Sequence, residues 1–444
     1  MGRKEARLAA ALEKNAVVEC RRIQKKFVPD LMAMFSGTKD PRHPAYITYS
    51  NRMMLSTLYH KNLGGVVSMQ EMTGKFNNET VTGTIYQLSG EKPGEYLPHY
   101  VTLNEYLERL EPGELENILH RICISSIRRK SFNDARFKGK WIVIIDGTRG
   151  YSGSRQINEK CLETRFNKGT DSETVCYHTD ILEAKLYLGE DLLLSIGSEF
   201  IENGEEYHKR RENQSEESYK QDCETKAFRR LAAKLKKRFP RLPIVILADS
   251  LYASEPVMEI CEKYRWEYII RFKDGSIPSV AEEYENIPEK ERAGTTEFVN
   301  DIDYKERKVN VLRYSEKRIE KGVVVEVQFQ WLTSFHVTVK NAEKLVRTGR
   351  LRWKIENEGF NRQKNWQGDI THACSHNANA LKNHYLIYQI ADFIKQLYEW
   401  FFLKKQGIQK KQKDISPDLL ASFGRHLTAE DISSLELLHE ATFN

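Results

Sequence analysis

The sequence predicts an α/β fold: a mixed sheet flanked by helices, with a helical N-terminal domain and an antiparallel β insertion ahead of a late helix. Three observations predict it. Two short β-branched apolar runs, Trp141-Ile142-Val143-Ile144-Ile145 and Pro243-Ile244-Val245-Ile246-Leu247-Ala248, have the composition of buried strands, and each is followed at once by an aspartate. Around them, strand patterns and helical patterns alternate in the order strand, hairpin strands, helix, strand, helix, strand, which a mixed sheet accommodates. The stretch between Asp249 and Glu356 is longer than one crossover helix and one strand require, so something is inserted there.

Taken in order, residues 1–130 carry helical periodicity. An amphipathic start leads to an apolar segment at 27–35, an interruption at Gly37 and Pro41, and a helix at 52–60. Gly90-Glu91-Lys92-Pro93-Gly94 marks a loop, and a short helix at 115–128 delivers the chain to the first strand. Residues 131–290 hold the first part of the core. The strand at 141–145 ends at Asp146 and a Gly147 turn. An irregular excursion past Gly150, Gly153 and Gly169 follows, then strands at 177–188 and 192–201 joined by the turn Gly189-Glu190-Asp191. A charged helix at 215–238, the Asp249 strand, a helix at 256–264 and a strand at 268–272 complete that part.

Residues 291–338 read as the insertion, with β patterns at 295–299, 308–314, 323–332 and 335–338 separated by Asp301, Asp303 and Lys321-Gly322. Residues 339–403 resume the core, with Arg350-Leu351-Arg352-Trp353-Lys354-Ile355-Glu356 read as helix and 385–403 as a core helix with one solvated face. Residues 404–444 form a basic linker and a helical tail.

The 444 residues are 40% hydrophobic and 30% charged, an ordinary globular composition with room for two or three domains. A net charge of +6 permits a polyanionic partner without demanding one. The seven cysteines are scattered singly with no CxxC pair, which argues against a disulfide framework or zinc ribbon and for a reducing, cytoplasmic setting. No apolar run is long enough to cross a bilayer; even 385–403 is broken by Asp392, Lys395 and Glu399.

The candidate chemistry rests on Asp146, Asp249 and Glu356. Carboxylates on rigid elements suit hard divalent cations, so these three are candidate ligands for two Mg²⁺ ions, with Mn²⁺ able to substitute. Two such ions, about 3.5 to 4 Å apart, neutralise the attacking and leaving oxygens of a phosphodiester. Either aspartate alone is as readily a turn or cap residue; with Glu356 the three favour a site. On a regular helix positions 349, 352, 356 and 363 share a face, so Arg352 lies one turn before Glu356 and can support it or meet a phosphate. Asp301, Asp303, Glu190 and Asp191 read as solvated turn residues.

Arg347, Arg350, Arg352, Lys354, Arg362 and Lys364 make the glutamate helix strongly positive, either as a solvated face or, beside a carboxylate site, as phosphate contacts. Arg271 and Lys273 leave a strand near Asp249 and are weaker candidates for the same work. Trp331 and Trp366 flank the helix in sequence and either stack on an unpaired base or pack in the core. His372, Cys374, His376 and His384 are the one cluster of nitrogen and sulfur ligands, but their spacing matches no established zinc pattern.

On these residues the sequence resembles the DDE transposases of bacterial insertion sequences, in particular the insertion sequence 4 family. The likeness covers Val143 to Gly147, Ile246-Leu247-Ala248-Asp249-Ser250-Leu251-Tyr252-Ala253, the strand Tyr268-Ile269-Ile270-Arg271-Phe272-Lys273, and Arg352-Trp353-Lys354-Ile355-Glu356. It implies an RNase H-like catalytic core and two-metal DNA strand cleavage followed by strand transfer. It also implies double-stranded DNA as partner, both element ends and target, with the N-terminal module at 1–130 and the β insertion gripping the element's end, and a homodimer on that DNA. The family's glutamate helix usually carries a tyrosine, an arginine, the glutamate and a lysine at fixed spacing. Here the tyrosine position is Gly349 and the lysine position is Gln363, with Lys364 one residue on, about 100° around a regular helix. Two other readings stand beside this one: a nuclease on the same core without strand transfer, and a catalytically inactive DNA-binding descendant.

Overall fold

The computed structural model describes residues 3–205, 207, 220–320 and 322–440. Eight helices open the chain: α1 (Arg3–Leu12), α2 (Ala16–Phe27), α3 (Leu31–Ser36), α4 (Asn51–Leu63), α5 (Met69–Phe76), α6 (Glu79–Ser89), α7 (Tyr100–Arg109) and α8 (Pro112–Ile127). Their starts follow local chemistry. The side chains of Asn15, Ser50, Ser68 and Asn78 accept from backbone N–H groups that the first turn of α2, α4, α5 and α6 leaves unpaired.

The sheet comprises β1 (Trp141–Gly153), β2 (Leu162–Phe166), β3 (Thr174–Tyr187), β4 (Leu193–Ile201), β5 (Ile244–Ala248), β6 (Glu267–Arg271), β7 (Glu291–Ala293), β8 (Thr296–Tyr304), β9 (Arg307–Glu320) and β10 (Val323–Thr333). Its heart runs β4-β3-β1-β5-β6: β1, β3 and β4 are antiparallel neighbours, while β5 and β6 lie parallel to β1. Three antiparallel strands followed by two parallel ones, with helices α9 (Glu224–Arg238) and α10 (Glu255–Tyr264) as the crossovers, is the RNase H-like arrangement. The apolar runs behave as buried strands must: every residue from Trp141 to Ile145 and from Ile244 to Ala248 is buried.

Several expectations change. β1 does not stop at Asp146; it continues through Gly147 to Gly153, held by β3, while its pairing with β5 ends at Ile144. The charged helix starts at Glu224, because the preceding Gln221 and Asp222 tie the chain to Glu163 and Glu202 by side-chain bonds. The part of that expectation at 215–219 lies outside the described residues. Helix α11 (Pro278–Asn286) leads into the insertion, whose β10 pairs with β6 through Trp331 and Arg271, so β7 to β10 extend the core sheet. Residues 335–338 form no strand; the Asn300 side chain clamps Val337 by both its N–H and its carbonyl instead.

After α12 (Ala342–Arg350) the chain enters a π-helix, Ile355–Asn361, continued by the short α13 (Arg362–Asn365). Helix α14 (Ala378–Tyr398) is buried along most of its 21 residues, packs on α2, α4, α7, α8 and β4, and passes into a second π-helix, Glu399–Lys404. Helices α15 (Gln412–Phe423) and α16 (Ala429–Glu440) fold back on the N-terminal helices, so one continuous apolar core joins Phe35, Leu58, Ile390, Leu419 and the inner face of the sheet at Val143 and Ile246. The N-terminal helices are therefore packed onto the sheet through α14. No described helix is long and apolar enough to cross a membrane.

Candidate active site

Asp146 and Asp249 lie at one end of the sheet because of where β5 stops. Asp146 lies two residues beyond the last β1–β5 pair, where β1 runs on beside β3, and Asp249 follows the last residue of β5, so both sit at the same end of adjacent parallel strands. Asp146 Oδ1 accepts the Gly147 N–H at 3.0 Å. Asp249 Oδ1 caps the short 3-10 turn Ser250–Tyr252, accepting from Leu251 N–H at 2.9 Å, so it serves as a cap while lying at the site. Glu356 is delivered from across the sheet by the π-helix, whose Ile355 and Phe360 sit in the second apolar cluster with Ile144, Leu247, Val337 and Leu345.

Arg352 joins two of the three. Its Nη1 lies 2.7 Å from Glu356 Oε1 and 3.4 Å from Asp146 Oδ2, and its side chain is 12% exposed. Even so, burial pushes the Asp146 carboxyl up to about 7; Arg352 pulls the other way, and Glu356, Asp249 and Glu224 add to the rise. Four carboxylates, Asp146, Glu356, Asp249 and Glu224, thus act on one another at this end, with Arg352 opposing them. A hard-oxygen donor set of carboxylates is chemically fitted to divalent cations. Among the described residues no three Asp, Glu, His or Cys side chains are already drawn together as a ligand set. Like-charged groups keep apart, and Arg352 stands between two of them.

Sequence reasoning missed Glu224, Asp180 and Arg149. Glu224 opens α9 and lays its carboxylate against Gly147: a Cβ built there would lie 2.4 Å from Glu224 Oε1. The buried Tyr252 hydroxyl donates to Glu224 Oε2 at 2.9 Å. Burial raises the Glu224 pKa, Tyr252 lowers it, and Asp249 and Asp180 raise it further. Arg149 pairs with Asp180 at 3.3 Å, and His178 Nδ1 meets the same carboxylate at 3.0 Å. The one sequence signal was Gly147, read as a turn but used for close approach.

The remaining predicted residues divide. Lys273 and Arg347 are exposed. Arg350 pairs with Glu316 at 2.6 Å, and Lys354 with Asp191 at 2.7 Å, so Asp191, in its turn and with its side chain 43% exposed, is also an ion-pair partner. Arg271 is turned to structural work, donating to the Gln330 and Gln328 carbonyls and lying over the Phe329 and Trp331 rings. Two expectations fail outright. Trp331 is 3% exposed and packed against Gly349, so it has no open face for a base. Arg362 is equally buried, enclosed with Asp392 and Glu399, so no phosphate reaches it. Trp353 and Trp366, at 51% and 39%, are the exposed aromatics of this helix. Gln363 is fully buried while Lys364 is half-buried, near Arg149, Asp180 and Asp146. The His372 cluster does not assemble either: His384 bonds Asn104, Cys374 bonds the Val67 carbonyl, and His376 is exposed.

Residues 220–388 match the family described as the transposase DDE domain, a stretch that contains Asp249, Arg352 and Glu356 and begins after Asp146. A domain of that description implies phosphoryl transfer. No curated protein matches the sequence. Among solved structures the chain is similar to the piggyBac transposase in its synaptic complex with hairpin DNA, determined by cryo-electron microscopy. The TM-score is 0.44 and the identity 10%, over 96% of this chain and 84% of that one.

Proposed function

We propose that this protein is a DNA transposase of the bacterial insertion sequence 4 type. It binds the terminal inverted repeats of its mobile element, cleaves the strands there and joins them to target DNA. The observation that carries the reading is the bridge of Arg352 between Asp146 and Glu356 at one end of an RNase H-like sheet, with Asp249 close enough to raise the Asp146 pKa, two of the three carboxylates lying within the stretch that matches the transposase DDE domain.

Asp146, Asp249 and Glu356 would hold two Mg²⁺ ions, which when bound supply an activated nucleophile and charge neutralisation at the scissile phosphate. The chain's own residues do the rest. Strand and helix backbones fix the three carboxylates, which lowers the cost of bringing them around a common centre. Arg352 holds Glu356 and Asp146 in the free protein, and its planar guanidinium suits a phosphate oxygen once DNA arrives. Arg149 and Lys364 add positive charge beside the carboxylates, and Lys273, Arg347, Arg350 and Lys354 supply contacts to the flanking backbone. Cutting two element ends together calls for two protomers on DNA.

The test incubates the purified protein with duplexes ending in the inverted repeats that flank its reading frame, with Mg²⁺, Mn²⁺ or chelator, and scores cut and joined products. Joined products that disappear in Asp146→Ala, Asp249→Ala and Glu356→Ala support the reading. Cuts without joining would make it a nuclease, and no metal-dependent cutting at all would make it a binding protein.

A further inference from the structure

The helix that carries Glu356 is wound in an unusual way, and the residues beneath it account for the winding. From Ile355 to Asn361 it is a π-helix. An i→i+5 turn takes up one residue more than an α-turn, which offsets the roughly 100° that a shift of one position costs on a regular helix. Burial agrees: Asn357, Asn361 and Asn365 are exposed at every fourth position, wider than an α-helix repeats, and Gln363 faces the core while Lys364 does not. Lys364 thus shares a face with Glu356, eight positions away.

The core side of this turn is held by a buried polar lock. Gln363 Nε2 donates to Asp392 Oδ2 at 2.8 Å and to Gln389 Oε1 at 3.0 Å, and Gln389 returns a bond at 3.3 Å. Lys185 of β3 also donates to Gln389 at 2.8 Å. Arg362 Nη1 donates to Glu399 at 2.5 Å, and its Nε sits 3.4 Å from Asp392 Oδ1, a charge contact rather than an aligned hydrogen bond. Glu399 begins the second π-helix, so a buried ion pair joins one π-turn to the other. An α-helical register would swing Gln363 out of this lock and leave Asp392, whose Oδ1 already has no hydrogen bond, with Gln396 as its one hydrogen-bond donor among the described residues.

We propose that Arg362, Gln363 and Asp392 are positioning residues that hold a one-residue π insertion in register, and that this register is what places Lys364 in the active site beside Glu356. The role given to Lys364 rests on the phosphodiester reading above; the register does not.

Two measurements test it. Peptide-mapped thiol labelling of folded protein reads the register: Lys364→Cys should label at least about tenfold faster than Gln363→Cys, and Asp392→Ala should shrink that ratio. Equal labelling in the otherwise native chain would overturn the register. Metal-dependent cleavage of element-end DNA reads the role. Lys364→Gln should lose cleavage and Lys364→Arg recover part of it. Exchanging the two residues (Gln363→Lys with Lys364→Gln) should lose it as fully. Deleting the exposed Asn357 should preserve it, because Lys364 then lies seven positions after Glu356 on an ordinary α-helix. An exchange variant as active as the native chain, or a folded Asn357 deletion with no activity, would overturn the role. Native protein that cuts no DNA but labels as expected would refute the transposase reading, and with it the role of Lys364, while the register stands.

Discussion

Trp331 occupies the space that a side chain at Gly349 would need: a Cβ there would lie 2.6 Å from the indole Nε1 and 2.8 Å from Cε2. The glycine at the position where the resembling family carries tyrosine therefore belongs to the packing of this chain, with an aromatic ring arriving from β10 instead. Gly349→Ala should cost about 1 to 3 kcal/mol, since the ring is 3% exposed and cannot retreat from a close-packed core. Gly349→Tyr should cost more and restore nothing. Denaturant melts of both, with Trp331→Leu combined with Gly349→Ala as the relieving pair, check this: if the pair is no better than the sum of its parts, the steric account is wrong.

Asp146 sets a second expectation. Its carboxyl is pushed from an ordinary value near 3.8 up to about 7, by burial first and then by Glu356, Asp249 and Glu224 against the opposing pull of Arg352. Between these values the folded chain binds more protons than the unfolded one, so this group's contribution to stability falls as pH rises from about 4 to about 7. Asp146→Asn should therefore stabilise the metal-free protein at pH 8, by on the order of 1 to 3 kcal/mol, and leave it little changed at pH 4. Melting curves in chelator at the two pH values decide it. A variant less stable than the native chain at pH 8 would show that the pairing with Arg352 outweighs the repulsion.

Two histidines act with the opposite sign. His60 and His384 are buried, and burial, helped by Arg21 beside His60 and by Lys61 and His372 beside His384, lowers both to about 3 from an ordinary 6.5. Each ring makes one bond, His60 Nδ1 to the Ser56 carbonyl and His384 Nε2 to Asn104 Oδ1, both at 2.8 Å, and the Ser56 bond opposes part of the lowering at His60. The unfolded chain binds more protons between pH 3 and 6.5, so stability is lost as pH falls through that window. Replacing either residue with glutamine, which keeps a donor and cannot charge, should flatten the fall in melting temperature between pH 6.5 and 4.5. An unchanged slope in both variants would place the acid sensitivity elsewhere.

What the sequence disclosed and what it hid have separate physical causes. The two apolar runs ending in aspartate were legible because a strand covered on both faces must be apolar throughout, whatever surrounds it. Arg352 and Glu356 were legible as a pair four positions apart. The π-turn was not, because its extra residue is stabilised by Asp392 and Glu399, some 30 positions later, and periodicity carries no trace of partners so distant. Arg362 and Trp331 misled for a related reason: charge and aromatic character suggest an exposed contact, whereas the tertiary partners enclosing them are visible only after folding. Glu224 was hidden because its helix is far from Asp146 in sequence and only the close approach to Gly147 brings them together.

That approach gives a last expectation. At Gly147 any Cβ meets the end of the Glu224 side chain, with Oε1 at 2.4 Å and Cδ at 2.6 Å. The obstacle is a flexible carboxylate rather than backbone, so Gly147→Ala can be absorbed by rotating Glu224 away. Folding stability should fall by about 1 to 3 kcal/mol, the cost of leaving the buried Tyr252 hydroxyl without its bond to Glu224. The site should change as well: with Glu224 displaced, the negative charge beside Asp146 drops and the concentration of Mg²⁺ needed for half-maximal cleavage should rise. Tyr252→Phe, which frees Glu224 without pushing it, should shift the same metal dependence less. If Gly147→Ala leaves the Mg²⁺ requirement untouched while the melting temperature falls steeply, Glu224 is a packing neighbour of Gly147 and contributes nothing to the site.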